Sequence, residues 1–281
     1  MSEQVGHHPL KVMLRYGALS ILAFVVVCPL AWLALASLRP QNEIFQPISE
    51  FGWRTFIPSR ITFDNYRALA ASDFPLAVKN SAFVALTTVF LGLVVNALAG
   101  FAFAVFDFRG KNLLFVLVIA SFMMPFEAIV MPLYVMINAL GWTNSYKALI
   151  VPEVANGMII FLFRQFFASI PKDFYEAARV DGASWLYIWI RIAMPLSWPT
   201  IATSSLMLFL AQWDSFFWPV VAASSPDYAV VQVAIARNIN FEQHDWGGLF
   251  ASTNLAILIG TIPFLLTQRF YIRSLISGGI K

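Results

Sequence analysis

Long apolar runs alternate with short polar ones over the whole chain. Six runs are long enough to cross a bilayer, at residues 16–38, 76–106, 113–137, 148–167, 198–223 and 249–267. A hydrocarbon core of about 30 Å takes about 20 helical residues per crossing at about 1.5 Å of rise each. The pattern predicts an all-α, polytopic membrane protein with six transmembrane helices and a single membrane domain over 1–281. Pro125, Pro132, Pro152 and Pro219 interrupt the third, fourth and fifth runs. Membrane helices tolerate proline where neighbouring helices or water satisfy the freed carbonyls, so these positions are expected on packed rather than lipid-facing helices. Lys11 and Arg15 precede the first run, and Ala34-Leu35-Ala36 resembles a signal-peptide cleavage site. The run exceeds the usual apolar core of about 7–15 residues, so an uncleaved first helix is expected.

Basic residues set the direction. With the N-terminus inside, the inner segments hold Lys11, Arg15, Arg109, Lys111, Arg164, Lys172, Arg179, Arg191, Arg269, Arg273 and Lys281, eleven of the 18 Lys and Arg. Four of the other seven lie between Arg39 and Arg67 in a long loop, where the bias counts for less. Both termini are therefore expected in the cytoplasm. This topology places the polar segment 168–197 inside, and 39–75 and 224–248 outside.

Composition narrows the function classes. Charged residues make up 12% of the chain and apolar ones 59%. A soluble domain usually carries about 25% charge, so a soluble enzyme is excluded. The net charge of +3 and pI of about 9.1 come without a basic run or basic helix face, so no nucleic-acid partner is expected. Cys28 is the single cysteine, which rules out an intrachain disulfide and a cysteine metal cluster. His7 and His8 sit in a terminal tail and His244 in an outer loop, and no metal site is expected. Neither a 20–50-residue repeat nor a low-complexity tract is present.

The inner segment carries the most local information. Pro171 suits the first turn of a helix, Asp173 and Glu176 suit its positive N-terminal end, and Gly182 can end it in a left-handed conformation. A short helix followed by a turn is predicted. On it Phe174, Ala177, Ala178 and Asp181 share one face, an aromatic knob beside two small residues and a carboxylate. Two readings fit that face: a surface helix packed on its own membrane domain, or one that admits another backbone closely.

The spacing in this segment resembles a known signature. Glu176-Ala177-Ala178, three residues, Gly182, nine residues, Ile192, one residue and Met194-Pro195 resemble the EAA motif of permease subunits of ATP-binding-cassette importers. Met194 stands where leucine is usual, a mild apolar exchange. Thr62-Phe63-Asp64-Asn65-Tyr66, Met124-Pro125-Phe126-Glu127 through Pro132-Leu133-Tyr134, Gly141-Trp142-Thr143-Asn144-Ser145, Phe161 through Phe167 and Trp213 through Pro219 are similar to the carbohydrate-uptake, maltose-type branch in the same order. The resemblance implies a type I importer permease fold in a bacterial or archaeal plasma (inner) membrane. It further implies a coupling loop at 168–197 whose Phe174, Glu176, Ala177, Ala178, Asp181, Gly182 and Pro195 meet an ATPase. A tail at 271–281, with Gly278, Gly279 and Lys281, would reach the ATPase dimer.

The implied partners are a second permease subunit, related but not identical, two cytoplasmic ATP-binding subunits, an extracytoplasmic solute-binding protein and the lipid bilayer. This chain would hold no cofactor, and ATP and Mg would sit on the ATPases. In agreement, the only Gly-Lys pair, Gly110-Lys111, has Val105 where a Walker A loop needs glycine.

Polar and aromatic residues inside the runs are candidates for the translocation pathway, since lipid exposure of polar groups is costly. Glu127, Asn156, Trp213, Asp214 and Phe217 are the candidates, with Glu153 and Gln212 beside them. Asp214 can bond sugar hydroxyls, and it can equally join helices near the outer interface. Trp213, Phe216, Phe217 and Trp218 fit an interfacial aromatic belt better than a sugar-stacking surface. Expected solutes are sugars, oligosaccharides or polyols. Glycerol phosphate for the same machine, or ion-coupled secondary transport through Asp214, Glu127 and Glu153, are the alternatives.

Overall fold

The computed structural model describes residues 9–44, 58–237 and 245–278, with side-chain environments between 12 and 268 of these. Among the described residues every regular element is a helix. The chain forms two compact units, Met1–Ser72 with Arg237–Leu255, and Asp73–Ala236 with Ala256–Lys281.

In the first unit, α1 (Pro9–Ser37) is apolar on every side, the mark of a helix surrounded by lipid or other helices. Its side chains are exposed from Val12 to Val27, half-buried from Trp32 to Leu35, and buried at Ala36 and Ser37. That turn is tied to α2 (Asp64–Ala70). The Asn65 amide donates to the Ser37 and Arg39 carbonyls, both at 2.8 Å. The Tyr66 hydroxyl lies 2.7 Å from that of Ser37 and accepts from the Asn254 amide at 2.8 Å.

The second unit is built around α3 (Phe74–Val105), 32 residues and about 48 Å long. Ala77, Ser81, Ala85, Gly92, Asn96 and Gly100 make a buried stripe of small residues along it, which lets neighbouring backbones approach closely. Gly100 is the tightest point, for a β-carbon there would sit 2.6 Å from Phe163 Cβ and 2.9 Å from the Arg164 nitrogen. After α3 come α4 (Lys111–Met123), α5 (Phe126–Ala139), α6 (Tyr146–Val154) and α7 (Gly157–Ser169). Next are α8 (Lys172–Val180), α9 (Trp185–Ile188), a π-helical turn over Trp189–Ala193 and α10 (Met194–Leu196). The unit continues with α11 (Trp198–Trp213), α12 (Phe217–Ala222) and α13 (Val231–Arg237), while α14 (Trp246–Gly278) contributes to both units.

Four helical stretches are long and apolar enough to span: Val12–Ser37, Phe74–Val105, Tyr146–Ser169 and Trp246–Gln268. Two bent pairs raise the number to as many as six. The third predicted span is broken at its first proline, since α4 and α5 meet at 101° where Pro125 cannot donate a backbone hydrogen bond. The fifth stops at Trp213, leaves Asp214–Phe216 outside any helix and resumes in α12. At its other end, Trp185–Leu196 and α11 are bent by 83°.

Proline alone does not locate the breaks, because Pro132 and Pro152 sit inside unbroken helices. Nor are all the prolines packed, for Pro125 and Pro132 are exposed while Pro219 is buried. The gap between α6 and α7 is mended from α3. Asn96 donates from its amide to the Val154 carbonyl at 2.8 Å and the Gly92 carbonyl at 2.7 Å, and its oxygen accepts from Asn156 N–H at 2.8 Å.

Candidate functional site

The polar segment 168–197 folds as predicted, into a short helix and a turn. Pro171 caps α8 instead of joining its first turn, and Asp173 and Arg179 occupy the ends that suit their charges. The C-terminus closes in a Schellman motif. Gly182 N–H donates to the Arg179 carbonyl at 3.1 Å and Ala183 N–H to that of Ala178 at 3.0 Å. Gly182 takes φ = 83° with open space where a β-carbon would be. Glycine is needed there for its backbone angle, not for room.

The helix rests on its own unit through a residue that periodicity did not single out. Tyr175 is buried, its ring lies edge-on to Phe101 at 5.9 Å, and its hydroxyl donates to the Phe167 carbonyl at 3.2 Å. Burial pushes the Tyr175 phenol up to about 12, so it is neutral at any working pH. On the far side of Gly182, Trp185 packs edge-on to Phe106 at 4.9 Å. The Arg179 guanidinium lies 5.1 Å from the Trp185 ring centroid and donates to the Ala183 carbonyl at 2.7 Å.

With Tyr175 turned inward, Phe174 is 55% exposed, and Glu176, Ala177, Asp181, Gly182 and Pro195 are exposed too. The predicted single face is corrected in two respects: Ala178 is half-buried, and Asp181 lies just past the helix end as its C-cap. The helix packs on its own domain by Tyr175 and presents Phe174 outward. Gly278 is the last residue of α14, and Gly279 and Lys281 lie outside the described residues, as do His7, His8 and His244.

The pathway candidates separate into two groups. Glu127 is exposed in the first turn of α5, directly after the 101° bend. Its neighbour Phe126 meets Phe217 edge-on at 6.4 Å and Trp218 at 6.1 Å. The bend between α4 and α5 is thereby brought against the break between α11 and α12, where Asp214 is exposed. Asn156 is committed elsewhere: its side-chain oxygen caps α7 by accepting from Met158 N–H at 3.1 Å and Ile159 N–H at 3.3 Å.

Trp213 is buried, stacked on Phe209 at 5.6 Å, and donates from its indole to the Ala256 carbonyl at 3.1 Å. It corrects the expectation of a pathway or belt residue. Trp218 is also buried, donating to the Ala148 carbonyl at 3.0 Å, so only Phe216 and Phe217 of the four aromatics stay exposed. Glu153 is half-buried on α6 and Gln212 is buried on α11.

A family model described as "Binding-protein-dependent transport system inner membrane component" matches residues 89–276. The chain belongs to this family. As a binding-protein-dependent inner membrane component it has its loop helix, both bent helix pairs and the exposed carboxylates within the matched region. The arabinooligosaccharide transport permease AraQ of Halalkalibacterium halodurans is 33% identical over 264 residues, 93% of this chain and 94% of that protein. The lactose transport permease LacG of Rhizobium radiobacter is 27% identical over 268 residues, 95% of each chain. The trehalose/maltose transport permease MalG of Thermococcus litoralis is 27% identical over 279 residues, 96% of this chain and 97% of that one.

The fold agrees with that of a bacterial ABC transporter involved in the import of the acidic polysaccharide alginate. That match has a TM-score of 0.84 at 20% identity and covers 96% of this chain and 100% of the other. The resemblance carried by the EAA motif, to importer permeases of the carbohydrate-uptake branch, is borne out.

Proposed function

We propose that this inner membrane component is the permease subunit of an ATP-driven importer for sugars, oligosaccharides or polyols, and that α8 is its coupling helix. One observation carries the reading. The loop helix is anchored by Tyr175 yet keeps Phe174, Glu176, Ala177 and Asp181 exposed, the combination a rigid docking element needs. Glu176 would pair with a basic group of an ATPase, Ala177 would allow close contact, and Gly182 holds the turn. Ala178, Pro195 and the Gly278–Lys281 tail would complete the contact.

In this reading both termini and segment 168–197 face the cytoplasm, and the chain sits in a bacterial or archaeal plasma membrane. It works with a second permease, two ATP-binding subunits that hold the ATP and Mg, and an external solute-binding protein. ATPase closure moves α8 and switches a pathway lined by Glu127, Asp214 and Phe217 between inward- and outward-facing states. The relatives named for arabinooligosaccharides, lactose and trehalose/maltose support a saccharide solute.

Nothing favours glycerol phosphate, because residues 112–146 and 192–236 around the two carboxylates contain neither Lys nor Arg. Membership of a binding-protein-dependent family leaves the ion-coupled alternative without support.

The test begins with co-purification, in which the tagged chain brings down an ATPase whose hydrolysis rises with loaded binding protein. Glu176→Lys and Gly182→Asp are expected to insert normally and to lose uptake by about tenfold or more, the scale of a disrupted charge-assisted contact. Wild-type uptake by the assembled double variant sinks the coupling role.

A further inference from the structure

We infer that Tyr175 is the positioning residue through which movement of α8 reaches the membrane helices, an inference that rests on the coupling role proposed above. Of the nine residues of α8 it alone is buried. Its side chain touches two long elements at once. The ring lies edge-on to Phe101 near the end of α3, and the hydroxyl bonds the Phe167 carbonyl in the last turn of α7. A carbonyl at that position has no partner within its own helix, and it accepts only one other bond, from Ile170 N–H at 3.3 Å. The hydroxyl therefore helps to close α7 while the ring locks α8 to α3.

The surrounding geometry gives most of this task to one side chain, with the half-buried Ala178 packed against the same cluster. The chain enters α8 through Pro171 in an extended conformation and leaves through the left-handed Gly182. Bends at both ends leave α8 free to rock unless something between them holds it. Phe101 also meets Phe167 edge-on at 5.6 Å and Phe106 at 5.9 Å. A push delivered to Tyr175 is therefore taken up by a packed aromatic cluster that includes both helices. The second contact, Trp185 on Phe106, lies beyond Gly182 and reaches α8 only through the exposed Arg179, whose guanidinium lies over the Trp185 ring. Remove the ring at 175 and α8 keeps its outward face but loses its grip on α3 and α7.

The experiment uses the complete complex in a Cys28→Ser background with a Ser215→Cys reporter at the break between α11 and α12, labelled by a membrane-impermeant maleimide with and without ATP plus orthovanadate. In the parent, trapping is expected to change the labelling rate by about fivefold or more, the scale of a coupled transition. Tyr175→Ala is expected to assemble and hydrolyse ATP but to lose that change. Tyr175→Phe keeps the ring and gives up one hydrogen bond, a factor of about 2–10 at most, and is expected to retain a measurable response. Should the alanine variant fail to assemble, Tyr175→Leu, which preserves burial without the flat ring, takes its place with the same expectation.

A full nucleotide response in Tyr175→Ala or Tyr175→Leu overturns the inference. So does parallel loss of hydrolysis and response, which marks a merely structural residue. A parent complex whose labelling ignores nucleotide sinks the coupling reading itself, a result distinct from either.

Discussion

At one end of α3, Asn80 donates to the Asp227 and Ala229 carbonyls, both at 2.9 Å, and accepts from the Tyr146 hydroxyl at 2.7 Å. Next to it, Ser81 accepts from Val231 N–H at 2.7 Å, and across the loop Asn144 accepts from Ser225 N–H at 2.8 Å. At the other end, Phe101 meets Phe106, Phe167 and Tyr175 edge-on at 5.6 to 5.9 Å, and one side-chain hydrogen bond, from Tyr175, ties α8 to the membrane helices. Hydrogen bonds tolerate little misalignment, whereas edge-on rings stay favourable over centroid separations of about 4.5–7 Å. The Asn80 end pins the chain in one geometry, and the Phe101 end grips while leaving room to move. That asymmetry is what the coupling role proposed above requires of the two ends.

The largest expected effect breaks the gripping end. Phe101→Ala removes the ring shared by Tyr175, Phe106 and Phe167 and is expected to cost about 3 kcal/mol or more. Limited trypsinolysis at Lys172 and Arg179 should then accelerate, while Asp227→Cys in a Cys28→Ser background keeps its maleimide reactivity. Unchanged cleavage shows that α8 is held by something other than the aromatic cluster.

A smaller effect follows at the pinned end. Asn80→Ala leaves two buried carbonyls and a tyrosine hydroxyl short of partners, at a cost of about 2 kcal/mol. In a Cys28→Ser background, Asp227→Cys should react faster with maleimide in that variant while the trypsin sites of α8 keep their protection. Coupled loosening of both ends contradicts the division drawn between them.

The smallest effect sharpens the comparison by pH. The fold holds Tyr175 as the neutral phenol, so its contribution is complete below the ordinary value of 10.0 and fades as pH climbs toward about 12. The phenolate absorbance that Tyr175 contributes should develop toward a pH of about 12, and Tyr175→Phe should lack that step. Between pH 6 and 9, roughly the range in which transport would be assayed, no change in α8 protection is expected from this residue.

Much of this was legible before the coordinates. Run lengths located the four unbroken spans to within a few residues, and the loop helix with its Gly182 stop follows from helix-end chemistry. The anchor was not legible. Periodicity grouped Phe174 with Ala177 and Ala178, but the side chain that turns inward is decided by Phe101, which is 74 positions earlier in the chain. The bends were half legible, since Pro125 marks one and Pro132 marks none. The freed backbone groups depend on neighbours that a local pattern does not reveal. Trp213 teaches the same point: its composition matched a membrane boundary, while its indole had a carbonyl waiting on α14.

The repair at Asn96 constrains what evolution or a designer can do with this chain. The amide donates twice and accepts once, all to backbone atoms. Aspartate has the length but loses both donors, leucine loses everything, and glutamine adds a methylene in a position with no exposed surface. Glu127, Asp214 and Phe217, which are exposed, can change at little structural cost. Position 96 has almost no vocabulary, and a gene library that randomises it should return asparagine.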